Sequence, residues 1–369
     1  MTRFIYGVIA LVMAGLVMIG IPVSSLAADE NSMPDCRQSG GLNFICDITV
    51  PEDLVIIPGT EWVVAGSFSE ENTTGLYLVN STTKAVTDLY SPRSGRNRLN
   101  RTLYNACPGA PDLNNFESHG LGIQTNTNAT GIYTLYVVSH GGREAIEVFE
   151  IDAGEELPEA TWVGCVLMPD GLDANDVSAM RDGTILATVL MHPGFGFEDL
   201  LSGVPTGAVY KWVPGSNGFV KLEGSELPGN NGIQVSEDES EIFVAASGLS
   251  AIITLANSNP TRVLRRTRTL GFAPDNVVYD SNGYLLTAGM RDDEPVCEGT
   301  GPAPVSSCPR GTVAVSIHPD TMQDTVILDT VATPVFSGAT MAIIPGGKEV
   351  WVGSFVTPRI AYQLLNRVE

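Results

Sequence analysis

Asn231-Gly232-Ile233-Gln234-Val235 opens on a carboxamide and a glycine and runs straight into an apolar strand pattern. Four other short segments open alike: Glu52-Asp53-Leu54, His119-Gly120-Leu121, Asn175-Asp176-Val177 and Asp275-Asn276-Val277. Polar groups that recur at the same place in successive β units converge on one axis when those units are arranged radially. A ring of oxygens around an axis is the environment a hard cation requires. His119, Asn175 and Asn231 also fall at equal intervals, with Asn276 following. The units share no strict sequence identity, so the repeat is one of structure.

Working outward from these openings, no window sustains a helical period. Apolar or alternating runs of strand length recur between Gly, Asn, Asp and Pro turns, the pattern of an all-β chain. The runs fall into six groups, over 53–90, 120–167, 176–222, 232–269, 276–330 and 339–365. The first five read as four strands each, and the last is one strand short. Six such groups predict a six-bladed β-propeller with its metal sites in the central channel. Gly41 to Cys46 is the segment expected to complete the last blade and close the ring. A β-sandwich rarely needs so many four-strand units. No Pro/Ser-rich linker divides 28–369, which therefore reads as one propeller domain.

The 369 residues are 43% hydrophobic, with 39 Gly and 23 Pro, ample for a large core and poor for long helices. Acidic residues outnumber basic ones 42 to 20, giving a formal net charge of −22, which excludes a phosphate-tracking, nucleic-acid-binding surface. The chain contains no Gly-x-Ser-x-Gly elbow, P-loop or dinucleotide fingerprint. At the N-terminus, Arg3 precedes an uncharged run from Phe4 to Val23, and Ser25-Leu26-Ala27 precedes Asp29-Glu30. This is an export signal, expected to be cut after Ala27, and it places the protein outside the cell or in the periplasm. The apolar run also approaches the length that spans a bilayer, so an uncleaved membrane anchor is the alternative.

Six cysteines follow the signal, an even number that suits disulfides in an exported chain. The simplest of the fifteen pairings joins Cys36 to Cys46 and Cys297 to Cys308 as local staples, leaving Cys107 with Cys165. Glycosylation sequons begin at Asn72, Asn80, Asn100 and Asn128.

In a propeller the first residue of each innermost strand sits at one mouth of the channel. Glu52, Asn175, Asn231, Asp275 and Asn276 then become neighbours that offer two carboxylates and three carboxamides and no thiolate. This donor set suits calcium far better than zinc or copper. Asp53 and Asp176 are offset by one strand position and point elsewhere. A second, deeper calcium held by Asp53, Asp176 and a backbone carbonyl, that of Leu121, is the expectation.

These motifs, with Tyr136-Val137-Val138-Ser139-His140, Val148-Phe149 and Gly338-Ala339-Thr340, come in an order that resembles the paraoxonase/arylesterase calcium propellers, and more distantly gluconolactonase-like propellers. The resemblance covers the chain from about residue 50 to the C-terminus. It implies two calcium ions, a catalytic one on Glu52, Asn175, Asn231, Asp275 and Asn276 and a structural one on Asp53, Asp176 and Leu121. It also implies hydrolysis of lactones or aryl esters, with a small-molecule substrate. His119 and His140 match the family's histidine pair, the first activating water and the second orienting it, although Asp275 or Glu52 could also serve as base. His192, Phe195 and Thr340 match its substrate mouth, with His192 to Phe197 opening an apolar lid. The chain departs from the family in having no cysteine after Cys308, and in an insertion between Arg291 and Arg310 that carries Pro295, Pro302 and Pro304. A non-catalytic, calcium-stabilised binding propeller and a sugar lactonase are the competing functions.

Overall fold

The computed structural model describes residues 36–68, 75–126, 129–292 and 309–365. The export segment, the Cys297/Cys308 pair and the sequons at Asn72 and Asn128 lie outside the described residues. Six sheets form in chain order, each an antiparallel meander, as the sequence pattern predicts. Blade 1 comprises Leu54–Ile56, Trp62–Ala65, Leu76–Asn80 and Val86–Tyr90. Blade 2 comprises Phe116–Thr125, Ile132–Gly141, Ala145–Asp152 and Glu159–Leu167, and blade 3 Val177–Ala179, Ile185–Val189, Ala208–Trp212 and Val220–Lys221. Blade 4 has Asn230–Val235, Glu241–Ala246, Ala251–Ala256 and Val263–Arg266, and blade 5 has Val277–Tyr279, Leu285–Met290, Thr312–Ile317 and Asp324–Asp329.

Blade 6 draws Ala339–Ile343, Glu349–Ser354 and Ile360–Leu364 from the end of the chain. Its fourth strand is Asn43–Ile45, antiparallel to Ile360–Leu364 with Phe44 opposite Ala361, inside the segment expected to close the ring. Ile45, Leu54, Val63, Met341, Ile343, Trp351 and Ile360 pack across this seam. Cys36–Cys46 staples the closing strand, and Cys107–Cys165 ties the loop before blade 2 to that blade's outer strand. Blade 2 also carries an edge strand with no sequence signal, Arg96–Asn97, which pairs parallel to its outer strand through Thr161 opposite Arg96.

The inner strands of blades 2, 4 and 6 each begin with a β-bulge. Two residues oppose one at His119-Gly120, Asn231-Gly232 and Thr340-Met341. A bulge frees a side chain from the regular pleat and turns it toward the axis. The glycine beside the bulge has a second task, because neighbouring inner strands converge there. A Cβ at Gly120 would sit 2.5 Å from the Asn175 carbonyl oxygen and from Asp176 Cα, and one at Gly232 2.5 Å from Asn276 Cα. Backbone of the next blade occupies the space that any side chain would need.

Gly232→Ala should therefore destabilise the fold by about 1–3 kcal/mol. Gly218→Ala, whose new methyl meets nothing within 4 Å, should stay within about 0.5 kcal/mol. Urea denaturation of the two variants checks this, and equal midpoints would refute the close approach.

Candidate active site

Hydrogen bonds join the heads of the inner strands at five of the six blade junctions, and between blades 2 and 3 the strands meet where Gly120 lies against Asn175 and Asp176. Asp53 Oδ2 accepts from the Leu121 amide at 2.6 Å, joining blade 1 to blade 2. Asp176 Oδ2 accepts from the Ile233 amide at 2.7 Å, joining blade 3 to blade 4. The Gly232 amide donates to the Asp275 carbonyl at 2.9 Å, and the Asn276 amide to the Thr340 carbonyl at 2.9 Å. Thr340 Oγ1 then donates to the Glu52 carbonyl at 2.5 Å, returning to blade 1. Asp53 and Asp176 each use their other oxygen on the next amide of their own strand, Leu54 at 2.8 Å and Val177 at 2.6 Å. The one-residue offset thus puts these two carboxylates to work as blade staples. It is the Leu121 amide that meets Asp53.

The other members of the ring are placed differently. Glu52 Oε1 accepts from Asn276 Nδ2 at 2.9 Å. Asn231 Nδ2 donates to Ser247 Oγ at 3.2 Å, which itself donates to the Pro274 carbonyl at 2.8 Å. Three buried oxygens, Glu52 Oε2, Asn175 Oδ1 and Asn231 Oδ1, find no hydrogen-bond partner. Glu52, Asp53 and Asp176 are buried and Asp275 is half-buried, all without a lysine or arginine partner among the described residues. Leaving a carboxylate unpaired in such a place costs several kcal/mol, so each must take a proton or a cation.

Burial pushes the Glu52 carboxyl up to about 8, with the Asn276 hydrogen bond opposing. Burial likewise raises Asp53, Asp176 and Asp275 well above the carboxylate range. Nearby charge adds to it, that of Glu52 on Asp53 and Asp275 and that of Asp53 on Asp176. Among the described residues no group of three or more His, Cys, Asp or Glu side chains is placed to hold a metal ion. The unsatisfied oxygens come instead from a mixed set of carboxylate and carboxamide groups, and hard oxygens without donors fit a hard cation.

His119 and His140 are brought together by the paired inner strands of blade 2, with His119 Nδ1 3.0 Å from His140 Nε2. His119 Nε2 faces Glu52 Oε2 at 3.6 Å, on the side of the unsatisfied oxygens. Burial, and then the neighbouring His140, lower His119 to about 3, so it is neutral near pH 7. Two contacts of this pair had no motif to announce them. Phe68 stacks on the His119 ring with centroids 4.5 Å apart and meets His140 edge-on at 5.9 Å. Glu144 Oε2 lies 2.7 Å from His140 Nδ1. The pair Gly141-Gly142 after His140 was a usable signal, because it marks a tight turn that returns the chain toward the ring.

The residues expected at the substrate mouth take different places. Thr340 has no exposed surface and uses its hydroxyl on the Glu52 backbone, so it anchors the ring and does not line a mouth. His192 is half-buried with Nε2 3.0 Å from the Tyr210 hydroxyl. Phe195 is exposed, and after it the short helix Phe197–Leu201 packs buried Leu200 against Gly229 and Gly248, beside the Ser247 that holds Asn231. A cavity of about 380 Å³ lies farther along the inner strands, past Asp53 and Asp176, walled by Val55, Ile123, Val177, Ile233 and Tyr279. It approaches the carboxylates from the end of the channel away from the histidines.

No protein-family model and no curated protein sequence matches the chain. Among solved structures, a luciferin-regenerating enzyme superposes with a TM-score of 0.51 at 14% identity, over 89% of this chain and 96% of its own. A gluconolactonase from Xanthomonas campestris gives 0.48 at 16% identity, over 91% and 96%. A calcium-binding regucalcin from Agrobacterium tumefaciens gives 0.49 at 11%, over 88% and 95%. At these identities the likeness is one of fold, the six-bladed propeller.

The folded state keeps the Glu52 proton to about pH 8, whereas the unfolded chain releases it near 4.5. In chelator, the contribution of Glu52 to stability is full below pH 4.5 and lost as pH rises through about 8. Thermal melts in chelator should show the midpoint falling across that window, and Glu52→Gln should flatten the fall.

Proposed function

We propose that this protein is a calcium-dependent hydrolase of lactones and aryl esters, exported through its N-terminal segment. The observation that carries the proposal is the bare side of the histidine pair. A buried, neutral His119 presents Nε2 to a pocket of oxygens that have no protein donor, 3.6 Å from Glu52 Oε2. Glu52, Asn175, Asn231, Asp275 and Asn276 would hold one calcium, and Asp53, Asp176 and the Leu121 carbonyl a second. When bound at the first set, calcium supplies Lewis-acid polarisation of an ester or lactone carbonyl.

The remaining chemistry belongs to the side chains. His119 Nε2 takes the proton of the attacking water and returns it to the leaving alkoxide. His140, 3.0 Å behind it, shares the positive charge that develops. Phe68 covers one face of the His119 ring and limits water there. Exposed Phe195 and Phe197 offer apolar surface to acyl or aryl groups.

A second function, a calcium-rigidified binding propeller, is favoured by one observation: the 380 Å³ cavity opens away from the histidines. Phenyl acetate and a series of aliphatic and acyl-homoserine lactones, assayed with calcium and with chelator, separate the two. The hydrolase reading expects turnover that chelator abolishes, and calcium binding without turnover would leave the binding propeller standing. His119→Gln should lower kcat by about 10²–10⁴-fold with calcium affinity kept. In the same series Asp53→Ala should lower the melting temperature, because it removes a blade staple. Asn231→Ala should mainly lower activity, and equal melting losses in the two variants would reject this division of labour.

A further inference from the structure

The histidine pair ends on a carboxylate that the proposed chemistry has not yet used. We propose that Glu144 is a positioning residue that sets the tautomers of both His140 and His119, leaving His119 Nε2 bare on the side of the unsatisfied oxygens. An ionised carboxylate only accepts hydrogen bonds, so the 2.7 Å contact places the proton of His140 on Nδ1. A neutral imidazole carries one proton, and His140 Nε2 is therefore an acceptor. His119 Nδ1 must then donate across the 3.0 Å separation, which empties His119 Nε2.

The opposite arrangement has its own attraction. With both tautomers reversed, His119 Nε2–H would point at Glu52 Oε2, an oxygen otherwise without a donor. Distance decides between them: the contact to Glu144 is a charge-assisted hydrogen bond at 2.7 Å, and the one to Glu52 stands at 3.6 Å, beyond hydrogen-bond range. In the reversed state His119 could not take a proton from water on that side. The carboxylate also sits where it offsets the positive charge on the pair once His119 is protonated, the role an acidic residue plays behind a catalytic histidine.

The turn that carries Glu144 is held on several sides. Gly141 has φ of +80°, and a Cβ there would lie 2.4 Å from the Asn115 carbonyl oxygen. The Gly142 amide donates to that same oxygen at 2.7 Å, and the Glu144 carbonyl accepts from the Met168 amide at 3.0 Å. Next to it, Arg143 Nε donates to Glu147 Oε1 at 2.7 Å, and buried Glu147 also accepts from Trp162 Nε1 at 2.7 Å. The Glu144 side chain is 33% exposed and that of His140 14%, so the carboxylate meets more solvent than the ring behind it. A backbone fixed this firmly presents Glu144 to His140 with little ordering left to do.

The tautomer assignment stands on geometry alone, and its catalytic consequence rests on the hydrolase reading. The chain has only four histidines, so a protein labelled with ¹⁵N-histidine gives a resolvable imidazole spectrum. Wild type is expected to show Nδ1–H with bare Nε2 for both His119 and His140. Glu144→Met, at a partly exposed site, should move both toward Nε2–H and lower kcat for phenyl acetate by about 10- to 100-fold, with KM changed less than about threefold. Glu144→Gln retains an accepting oxygen and should keep the wild-type tautomers and more of the rate. Unchanged tautomers in Glu144→Met would overturn the assignment, and changed tautomers with unchanged kcat would overturn the positioning role in catalysis. No turnover by wild type would remove the hydrolase reading, and the spectra would still decide for or against Glu144.

Discussion

Four carboxylates, buried Glu52, Asp53 and Asp176 and half-buried Asp275, gather at the axis of this propeller without one lysine or arginine partner among the described residues. Everything else in the centre of the molecule accommodates that constraint. Bulges at His119-Gly120 and Asn231-Gly232 turn polar groups inward in blades that alternate with those carrying the carboxylates, and the glycines there leave room for the backbone of the next blade, which an added Cβ would meet at 2.5 Å. Amides of the next blade are recruited onto Asp53 and Asp176, so the groups that are costly to bury also lock blade to blade. Closure by Asn43–Ile45 and its Cys36–Cys46 staple preserves the circle on which this convergence depends.

The axis has two unlike ends. At the strand heads lie the unsatisfied oxygens and the histidine pair, and farther along the channel, reaching back to Asp53 and Asp176, lies a cavity of mixed lining in which Ser178, Gln234 and Asp280 join the apolar walls. The stapled carboxylates form the partition between them. The strand heads therefore rest on a support that the fold cannot relax without separating blades. This is why Asp53 and Asn231, strand-opening residues of blades 1 and 4, are assigned different work.

The fold was legible because its signal is redundant. Six groups of short strands separated by turn residues leave few architectures, and even the missing strand of the last blade pointed to Gly41 to Cys46. The histidine contact was legible through the resemblance of its motifs, whereas its surroundings were not. Phe68 reaches His119 from the end of a different blade, and Glu144 reaches His140 around a glycine turn. Neither residue type nor spacing announces the meeting with Phe68, and Gly141-Gly142 signals the turn before Glu144 without naming its partner. Thr340 was misplaced for a related reason: a hydroxyl at a strand head suits a mouth or a backbone anchor equally, and the burial that separates the two is a property of the closed ring. The edge strand Arg96–Asn97 is two residues long and lies outside any hydrophobic period, so periodicity could not register it.

Charge balance links the two halves of the proposed site. Four carboxylates raised by burial, three of them also by a neighbouring carboxylate, are neutralised by protons or by cations, and the two solutions are not equivalent for the oxygens around them. A proton occupies one oxygen and turns it into a donor, which could satisfy a neighbouring carboxamide but would leave Asn175 Oδ1 and Asn231 Oδ1 competing for few hydrogens. A divalent cation satisfies several oxygens at once without adding a donor that needs its own acceptor. Asp53 and Asp176 are different, because each of their oxygens already accepts an amide hydrogen. The case for a cation is therefore stronger at the strand heads than at the staples, and the head is where a neutral His119 faces the same oxygens.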